Sequence, residues 1–298
     1  MSQLDAPILI MGETGTGKEL LARACHAASS RSAKPFLALN CASLPDNVAE
    51  SELFGYGANA FPGTTEGKKG IFEQANKGTV FLDEVGEMSR ELQTKLLRFL
   101  QDGSFRRVAD ENEVRVDVRV ICTTQKDLPG MVQEGKFRED LFHRLNVIRI
   151  HIPALKDRKQ DIPKLAQHFL QQAAKELNVE AKSLALDTEK YLAQLDWPGN
   201  VRQLVNVVEQ CVALTHSPVI GAAQVEQALS QDSSYWPPLT EARDQFERQY
   251  LIRVLQMTEG NVTRAAELAG RNRTDFYKLL KKHELSAAQV AEQGDETE

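Results

Sequence analysis

Two short segments of this chain contain residue types that could do chemistry together. The first reads Gly12-Glu13-Thr14-Gly15-Thr16-Gly17-Lys18-Glu19 and the second reads Thr79-Val-Phe-Leu-Asp83-Glu84. Glycines in the G-x-x-x-x-G-K spacing let the backbone curl so that its N–H groups face phosphate oxygens, and the lysine reaches the outer phosphates. Two carboxylates at the end of a hydrophobic strand can hold Mg²⁺ and orient a water molecule. Together, the segments predict a site that binds and hydrolyses ATP with Mg²⁺.

Each segment also fits a simpler structure when it is taken alone. The glycines of the phosphate-binding loop could form a turn, because residues 7–11 read as a buried strand and residues 19–26 as a helix. Asp83 and Glu84 could be an exposed acidic strand end. We favour the nucleotide site because each segment supplies what the other lacks. Glu19 stands where this motif usually has Ser or Thr, so Mg²⁺ would depend on Asp83, water and phosphate.

Length and composition limit the class of protein to which this chain can belong. A chain of 298 residues exceeds one ordinary compact core, so we expect two or three domains. The content of 42% hydrophobic and 26% charged residues is typical of globular proteins. No apolar run approaches the ~18 residues of a membrane span, and the first five residues lack the basic start of a secretion signal. We therefore expect a cytoplasmic protein without a membrane partner.

Net charge and cysteine usage exclude two further classes. The net charge of −6 argues against a basic protein that coats nucleic acid, so any DNA contact must be local. The cysteines lack both Cys-x-x-Cys spacing and histidines at ligand spacing; they are Cys25, Cys41, Cys122 and Cys211. We expect reduced thiols in or near the core rather than a zinc site.

The order of predicted elements divides the chain into domains. Residues 1–152 alternate strand-like runs with helical patterns, which calls for a parallel sheet covered by helices. The strand-like runs are residues 35–39, 79–82, 116–123 and 147–152, and residues 91–101 are one of the helical patterns. Residues 153–230 lose the strand signal and form a small helical lid. Its predicted helices are residues 162–176, 187–194 and 201–215.

The remaining residues predict a linker and a separate helical domain. Residues 231–239 are polar and then proline-rich, which is typical of a linker. Residues 240–285 read as a long helix up to residue 257 and then two shorter helices around a turn at Gly270. Residues 286–298 are small, polar and acidic, and we expect a disordered tail.

The two short helices have the spacing of a helix-turn-helix unit. Their apolar residues should lock them together; these are Ala265, Ala266, Leu268, Phe276, Leu279 and Leu280. Between residues 264 and 282, six basic residues face two acidic ones, a local net charge of +4 in an acidic protein. This charge indicates a surface for double-stranded DNA, although a solvated basic helix face would have the same composition.

Several motifs, in order, resemble one protein family. They are Glu50-Ser-Glu-Leu-Phe-Gly55, Phe137-Arg-Glu-Asp-Leu-Phe-His-Arg-Leu145 and Trp197-Pro-Gly-Asn-Val-Arg-Gln-Leu204. With the phosphate-binding loop and the acidic strand end, they look like the AAA+ domain of bacterial enhancer-binding proteins, the sigma-54 interaction domain. The resemblance covers about residues 6–230. It implies an α/β fold, an AAA+ P-loop parallel sheet with an α-helical lid, followed here by an all-α helix-turn-helix domain.

The resemblance also implies roles for residues around the nucleotide. Asp83 would hold Mg²⁺, and Glu84 would orient or deprotonate the attacking water. Asn40 would be a polar switch that holds Glu84 away from that water, although an Asn at a strand end also fits a turn or a cap. Arg202 would report the nucleotide state to the lid. Without the resemblance, the sequence around Arg202 indicates only a position on a helix surface.

Two further arginines resemble the family's arginine fingers. Arg138 and Arg144 would reach the ATP of a neighbouring subunit and stabilise charge on the transferred phosphate. The alternative is that they pair with Glu139 and Asp140 at the surface. Fingers supplied by a neighbour imply a homo-oligomeric ring, and the resemblance implies a hexamer.

The chain departs from the family at the loop that contacts the sigma factor. The family has Gly-Ala-Phe-Thr-Gly-Ala there, and this chain has Asn59-Ala60-Phe61-Pro62-Gly63-Thr64. Ala60, Phe61 and Gly63 match, but Pro62 has neither the hydroxyl nor the N–H of the threonine. In this respect the ATPase half looks more like aromatic-amino-acid regulators of the TyrR type, which act with the housekeeping polymerase.

The C-terminal segment resembles the Fis-type DNA-binding domain, in particular the one that ends response regulators of this group. Asn272 would cap the recognition helix, and Arg273 would read a base edge in the major groove. Lys278 and Lys281 would hold phosphates, and Thr274 belongs to the same DNA-binding set. The long helix before them would pair two subunits through Phe246, Tyr250, Ile252 and Leu255, so that a dimer meets a two-fold symmetric site.

The sequence is compatible with three functions. The first is an ATP-dependent, sequence-specific regulator that acts on RNA polymerase holoenzyme with sigma-54. The second is a regulator of housekeeping-polymerase promoters in which ATP controls self-association. The third is a general AAA+ remodeller such as a helicase or a protease partner, which leaves the basic helix of Arg273 unexplained.

Overall fold

The structure, a computed structural model, describes residues 5–61, 64–180, 182–215, 217–231, 246–247, 250–252, 254–255, 257–258, 260–283 and 285. The chain divides into two compact units, Met1–Ser230 and Gln231–Glu298. No helix in these ranges is both long and apolar enough to cross a bilayer.

A five-stranded parallel sheet is the centre of the first unit. Its strands lie in the order β2-β5-β8-β1-β9. The strands along the chain are β1 Ile8–Met11, β2 Phe36–Asn40, β3 Gly55–Tyr56, β4 Lys68–Lys69, β5 Thr79–Asp83, β6 Ser104–Arg106, β7 Glu113–Arg115, β8 Arg119–Thr124, β9 Ile148–His151, β10 Ser183–Leu184 and β11 Val219–Ile220. The three central strands are almost entirely buried, which explains why they read as continuous apolar runs.

Ten helices of the first unit cover the sheet or form the lid within the ranges given above. They are α1 Lys18–Ala27, α2 Asp46–Phe54, α3 Ile71–Gln74, α4 Arg90–Asp102, α5 Leu128–Gln133, α6 Glu139–Leu145, α7 Ile162–Glu176, α8 Leu186–Gln194, α9 Asn200–Leu214 and α10 Ala222–Gln231. Two 3₁₀ segments lie between these elements. Val85–Glu87 follows the acidic end of β5, and Leu155–Asp161 leads from β9 into α7 of the lid.

Helix α4 illustrates how the sequence specifies these elements. Ser89 caps its first turn by accepting from the N–H of Leu92, and Gly103 ends it with φ +67°. Leu92, Leu96 and Phe99 recur at helical spacing and are buried on one face. Phe99 joins an aromatic cluster, with ring centroids 4.1 Å from Phe72. This face anchors α4, which also packs against α6, the helix that contains Arg144.

The lid has a core of its own and contains a short pair of strands in addition to its predicted helices. Trp197 is 2% exposed, and its indole N–H donates to the carbonyl of Leu192 at 2.9 Å. The lid is mainly helical as predicted, but it also contains β10 and β11, which pair in parallel. A two-residue ladder has no periodic pattern, so residues 153–230 carry no strand signal in their sequence.

The C-terminal unit contains the two predicted short helices, Val262–Leu268 and Arg273–Lys282. Ala265, Ala266, Phe276 and Leu280 are buried between them, and Leu279 is partly buried. Leu268 is 56% exposed, so its assignment to this apolar face was wrong. Residues 231–245, apart from helical Gln231, and the predicted tail 286–298 lie outside the described residues.

The expected dimerisation residues divide into two sets. Leu255 is fully buried in the core of its own unit, and Ile252 packs against that core. Leu255 is therefore unavailable to a partner, which corrects the expectation. Phe246 and Tyr250 are 69% and 42% exposed, and their rings stack with centroids 6.2 Å apart. The described residues thus leave this aromatic pair as the candidate pairing surface.

Candidate nucleotide site and DNA-binding face

The carboxyl ends of four adjacent strands bring the candidate site together. Gly12 follows β1, and Asn40 ends β2. Asp83 ends β5, and Gln125 follows β8. In parallel sheets these ends share one edge, where α/β proteins bind ligands. The fold therefore brings the phosphate-binding loop beside the acidic strand end.

The phosphate-binding loop needs glycine at two positions. Gly15 has φ +79° and Gly17 has φ +99°, values that side chains rarely adopt. The loop continues into α1 at Lys18, whose Nζ donates to the carbonyls of Gly12 at 2.9 Å and Glu13 at 3.2 Å. The lysine is thus folded back over the loop, where its charge would meet phosphate oxygens.

Lys18 also forms an ion pair with the acidic strand end. Its Nζ lies 3.1 Å from Oε1 of Glu84, and the two side chains are only 7% and 12% exposed. Glu84 has φ +57°, a conformation that costs about 1–3 kcal/mol and needs support from its surroundings. Its Oε2 accepts from the N–H of Gln125 at 3.0 Å, and its own N–H donates to the Thr123 hydroxyl at 3.2 Å.

Asp83 is fixed by two side chains. The Thr123 hydroxyl donates to Oδ1, and Nδ2 of Asn40 donates to Oδ2 at 3.2 Å. Asn40 therefore contacts Asp83, whereas the resemblance implied a contact with Glu84. The reason is register, because Asn40 and Asp83 are direct partners across β2 and β5. In this arrangement Asn40 orients the carboxylate that is the candidate metal ligand.

These groups line a cavity of about 380 Å³. Apolar side chains cover part of its wall, namely Leu20, Phe169, Val201 and Val205. Three of the four belong to the lid, and Leu20 is 75% exposed. The cavity thus has a polar end at Lys18 and an apolar end at the lid. A ligand with a phosphate group and a flat apolar group fits this division.

The donor set at the polar end fits Mg²⁺. No group of three or more His, Cys, Asp or Glu side chains that could hold a metal occurs in the described part of the chain. Glu19 pairs with Arg23 at 2.7 Å and Glu84 pairs with Lys18 at 3.1 Å, so Asp83 is the carboxylate of the lining that forms no ion pair with a described residue. Mg²⁺ commonly takes one or two carboxylates with phosphate oxygens and water.

The Cys41 thiol lies near this acidic strand end. Burial, and then the charges of Asp83 and Glu84, raise the pKa of the Cys41 thiol to about 12.

The three arginines identified from the sequence lie in different places. Arg202 lines the cavity, and its backbone N–H donates to the carbonyl of Gly15 at 3.2 Å. Arg138 donates to both carboxylate oxygens of Asp140, at 3.0 and 2.7 Å, and this pair raises the pKa of Arg138. Arg144 donates to the carbonyl of Leu100 at 2.9 and 3.1 Å. Among the described residues, the lining of the cavity includes neither Arg138 nor Arg144.

The second helix of the C-terminal unit presents a mixed basic and aromatic face. Oδ1 of Asn272 accepts from the N–H of Asp275 at 2.8 Å and caps the helix. Arg273 lies over the ring of Tyr277, with Cζ 5.7 Å from the centroid. Tyr277 is 47% exposed, and Thr274, Lys278 and Lys281 are exposed on the same helix. Lys278 is partly engaged with Asp275, at 3.0 Å.

Comparison with known families agrees with this arrangement. Residues 1–151, half of the chain, match the sigma-54 interaction domain. The chain belongs to this family. Residues 156–242 match the AAA+ ATPase lid domain, and residues 242–283 match the bacterial regulatory protein, Fis family.

Several known proteins are similar to this one over most of the chain. The transcriptional regulatory protein GlrR of Escherichia coli K12 is 52% identical over 287 residues, which are 96% of this chain and 65% of GlrR. The regulator TyrR of Enterobacter agglomerans is 48% identical over 94% of this chain and 55% of TyrR. NtrX of Brucella abortus, solved with ADP, superposes with a TM-score of 0.72 at 38% identity, over 96% of this chain and 66% of NtrX. NtrX was also solved with ATP.

In the candidate sigma-contact loop, Phe61 is held by one aromatic contact and two hydrogen bonds. Its ring meets the ring of Tyr56 edge-on at 5.3 Å, and 38% of Phe61 is exposed. The Thr64 hydroxyl donates to the Phe61 carbonyl at 2.7 Å and accepts from its N–H at 3.1 Å. Ala60 lies beside it, while Gly63 and Pro62 are outside the described residues.

Sequence reasoning missed two residues that the fold brings to the phosphate-binding loop. Nδ2 of Asn200 donates to Oε2 of Glu13 and to the carbonyl of Thr14, both at 3.0 Å. Nη2 of Arg158 donates to the carbonyl of Thr16 at 3.0 Å. Asn200 lies inside a motif that was identified, but its role could not be inferred because its partners are far away in the sequence. Arg158 lies in no motif that would signal it.

Proposed function

We propose that the chain is an ATP-hydrolysing, ring-forming and sequence-specific DNA-binding regulator that acts on RNA polymerase holoenzyme carrying sigma-54. The observation that carries this proposal is the 3.1 Å contact between Lys18 and Glu84, in a cavity that also receives Asp83 and Arg202 of the lid. Family membership supports sigma-54 as the partner, and ligand-bound NtrX supports an adenine nucleotide. We also propose that the protein works in the cytoplasm, where RNA polymerase is found.

The polar end of the cavity supplies the groups for hydrolysis. The N–H groups of the loop and the Nζ of Lys18 would bind the outer phosphates. Asp83 would hold Mg²⁺, which when bound neutralises phosphate charge. Glu84 would orient the attacking water and accept its proton. Asn40 would keep Asp83 in position through the 3.2 Å hydrogen bond, and Arg202 would couple the phosphates to the lid.

The apolar end of the cavity would take the adenine base. Phe169, Val201 and Val205 come from the lid, and Leu20 comes from the first turn of α1. Leu20 is 75% exposed, so covering it with a flat base removes apolar surface from water. The base would therefore be held largely by the lid.

Arg138 and Arg144 would complete the site of a neighbouring subunit. Both lie outside the lining of the cavity in their own chain, as fingers supplied by a neighbour would. Such fingers contribute roughly 10³ to 10⁵ in rate in phosphoryl-transfer enzymes. Assembly would pass from a dimer on DNA to a ring, and we expect a hexamer.

The C-terminal unit would hold the regulator on an upstream site. Arg273 would read a base edge in the major groove of double-stranded DNA, with Thr274, Lys278 and Lys281 on phosphates. DNA binding would raise the local concentration of subunits, and ATP would favour ring closure. Hydrolysis would then change the ring face that carries Phe61.

One observation favours a second function. Pro62 replaces the family's threonine in the loop. In this alternative, the protein regulates housekeeping-polymerase promoters, and ATP controls self-association without remodelling of sigma-54. The ATPase half would then be closer to TyrR-type regulators and the C-terminus closer to response regulators.

The test combines assembly, hydrolysis and transcription. Native mass measurement with and without ATP and Mg²⁺ should detect a ring, and a phosphate-release assay should detect turnover. Open-complex formation with sigma-54 holoenzyme then separates the two functions. Turnover and assembly without open complexes would favour the alternative. A monomer that releases no phosphate at any concentration would reject both.

A further inference from the structure

Asn200 occupies an unusual position at the start of lid helix α9. It has φ +53°, which Asn tolerates better than most residues, and it is 1% exposed. Its Nδ2 donates to Oε2 of Glu13 and to the carbonyl of Thr14, both at 3.0 Å. Its Oδ1 accepts from the N–H of Leu155 at 2.7 Å, in the segment that leads into the lid. One buried amide thus joins the phosphate-binding loop to two parts of the lid.

The lid contacts the loop at every residue from 13 to 16. Beyond the two contacts of Asn200, the N–H of Arg202 donates to the Gly15 carbonyl at 3.2 Å. Nη2 of Arg158 donates to the Thr16 carbonyl at 3.0 Å. Three consecutive loop carbonyls therefore accept hydrogen bonds from lid donors.

These contacts determine where the N–H groups of the loop point. The carbonyl of one residue and the N–H of the next lie in one rigid peptide plane and point in opposite directions. Holding the carbonyls of Thr14 and Thr16 toward the lid therefore turns the N–H groups of Gly15 and Gly17 away from it. Those N–H groups are the ones that a phosphate would use.

We propose that Asn200 is a positioning residue for the phosphates of a bound nucleotide, acting through the peptide planes of the loop. The proposal rests on the proposed nucleotide-binding function and adds the group that presets the loop. Nucleotide affinity and the attachment of the lid then depend on the same amide. The lid is in this way part of the phosphate site as well as a cover for the base.

The decisive variant is Asn200→Asp, which preserves shape and the acceptor for Leu155. It replaces a donor by a carboxylate oxygen facing the Glu13 carboxylate and the Thr14 carbonyl. We expect ADP and ATP to bind at least about tenfold more weakly by calorimetry on the full chain with Mg²⁺. Because Asn200 holds binding groups and does not touch the reacting water, KM for ATP should rise more than kcat falls.

Glu13→Gln supplies the rescue. In the double variant, the amide introduced at position 13 can donate to the new carboxylate. This removes the repulsion between the two side chains but leaves the Thr14 carbonyl without its donor, so the effect of Asn200→Asp should shrink but stay above about threefold when measured against Glu13→Gln alone. Asn178→Asp is the matched control, because Asn178 is an exposed lid residue with φ +52° and undergoes the same change of charge.

Asn200→Gly covers the case in which the aspartate variant does not fold. Glycine accepts the positive φ, removes the side chain and should still weaken nucleotide binding about fivefold or more. Affinity within twofold of the wild type in the folded variants, or a loss that Glu13→Gln abolishes, would overturn the inference alone. A wild-type chain that binds no nucleotide would overturn the proposed function as well.

Discussion

Substitution of Gly15 by alanine tests the close packing of the lid on the phosphate-binding loop. A Cβ at Gly15 would lie 2.3 Å from the carbonyl oxygen of Gly199 and 3.2 Å from Cβ of Arg202. Real Cβ atoms essentially never approach a backbone oxygen so closely, so the lid must move away from the loop. The residue also has φ +79°, which adds backbone strain.

Gly17→Ala is the control that separates these two effects. Gly17 has φ +99°, but a Cβ there has no neighbour within 4 Å. Strain alone should cost about 1–2 kcal/mol. A forced repacking adds about 1–3 kcal/mol, so Gly15→Ala should cost roughly 2–5 kcal/mol. The difference between the two variants isolates the contact with Gly199.

Urea unfolding is a suitable assay, with the fluorescence of the buried Trp197 as a reporter inside the lid. Loss of free energy of unfolding should be larger for Gly15→Ala than for Gly17→Ala by about 1 kcal/mol or more. Equal losses, or a larger loss for Gly17→Ala, would refute the claim that the lid rests on the loop at this glycine. Measurement without nucleotide avoids a direct clash between the new methyl group and a phosphate.

Three further predictions follow from the two sites and the core. Glu84→Gln should keep ATP binding but lower phosphate release by about 10² to 10⁴-fold, and normal turnover would remove Glu84 from the role of base. Arg273→Ala should cost about 1–3 kcal/mol in binding to a selected DNA site and little on random DNA, as measured by fluorescence anisotropy; an equal loss on both would mean a phosphate contact only. Burial lowers the pKa of His26 below its usual value near 6.5, so the stability due to the neutral ring is complete above about pH 6.5 and is lost as pH falls below it. Thermal unfolding between pH 7.5 and 5.5 should therefore show a steeper loss in the wild type than in His26→Asn, and parallel curves would contradict this.

The sequence predicted the elements that carry a clear local pattern. Helix α7 has the predicted bounds, Ile162–Glu176, because its apolar stripe is regular. The strands before the loop and before Asp83 were also predicted, since continuous apolar runs bounded by glycine or acidic residues indicate buried parallel strands. The cap of the recognition helix by Asn272 follows from a local rule.

The rest depended on contacts between distant residues. The register of β2 on β5 decides that Asn40 meets Asp83, and no local pattern sets that register. The roles of Asn200 and Arg158 depend on how the lid packs on the loop. Leu268 and Leu255 are both apolar residues on amphipathic helices, and only the packed unit distinguishes the exposed residue from the buried one.

The origin of the candidate site in four separate strands has a consequence for incompletely folded copies of the protein. Gly12, Asn40, Asp83 and Gln125 come together only when the central sheet is complete. A copy whose central sheet is incomplete lacks at least one of the four strand ends around the cavity. We therefore expect nucleotide binding to appear only after the whole sheet has formed, so that binding reports completed folding of this unit.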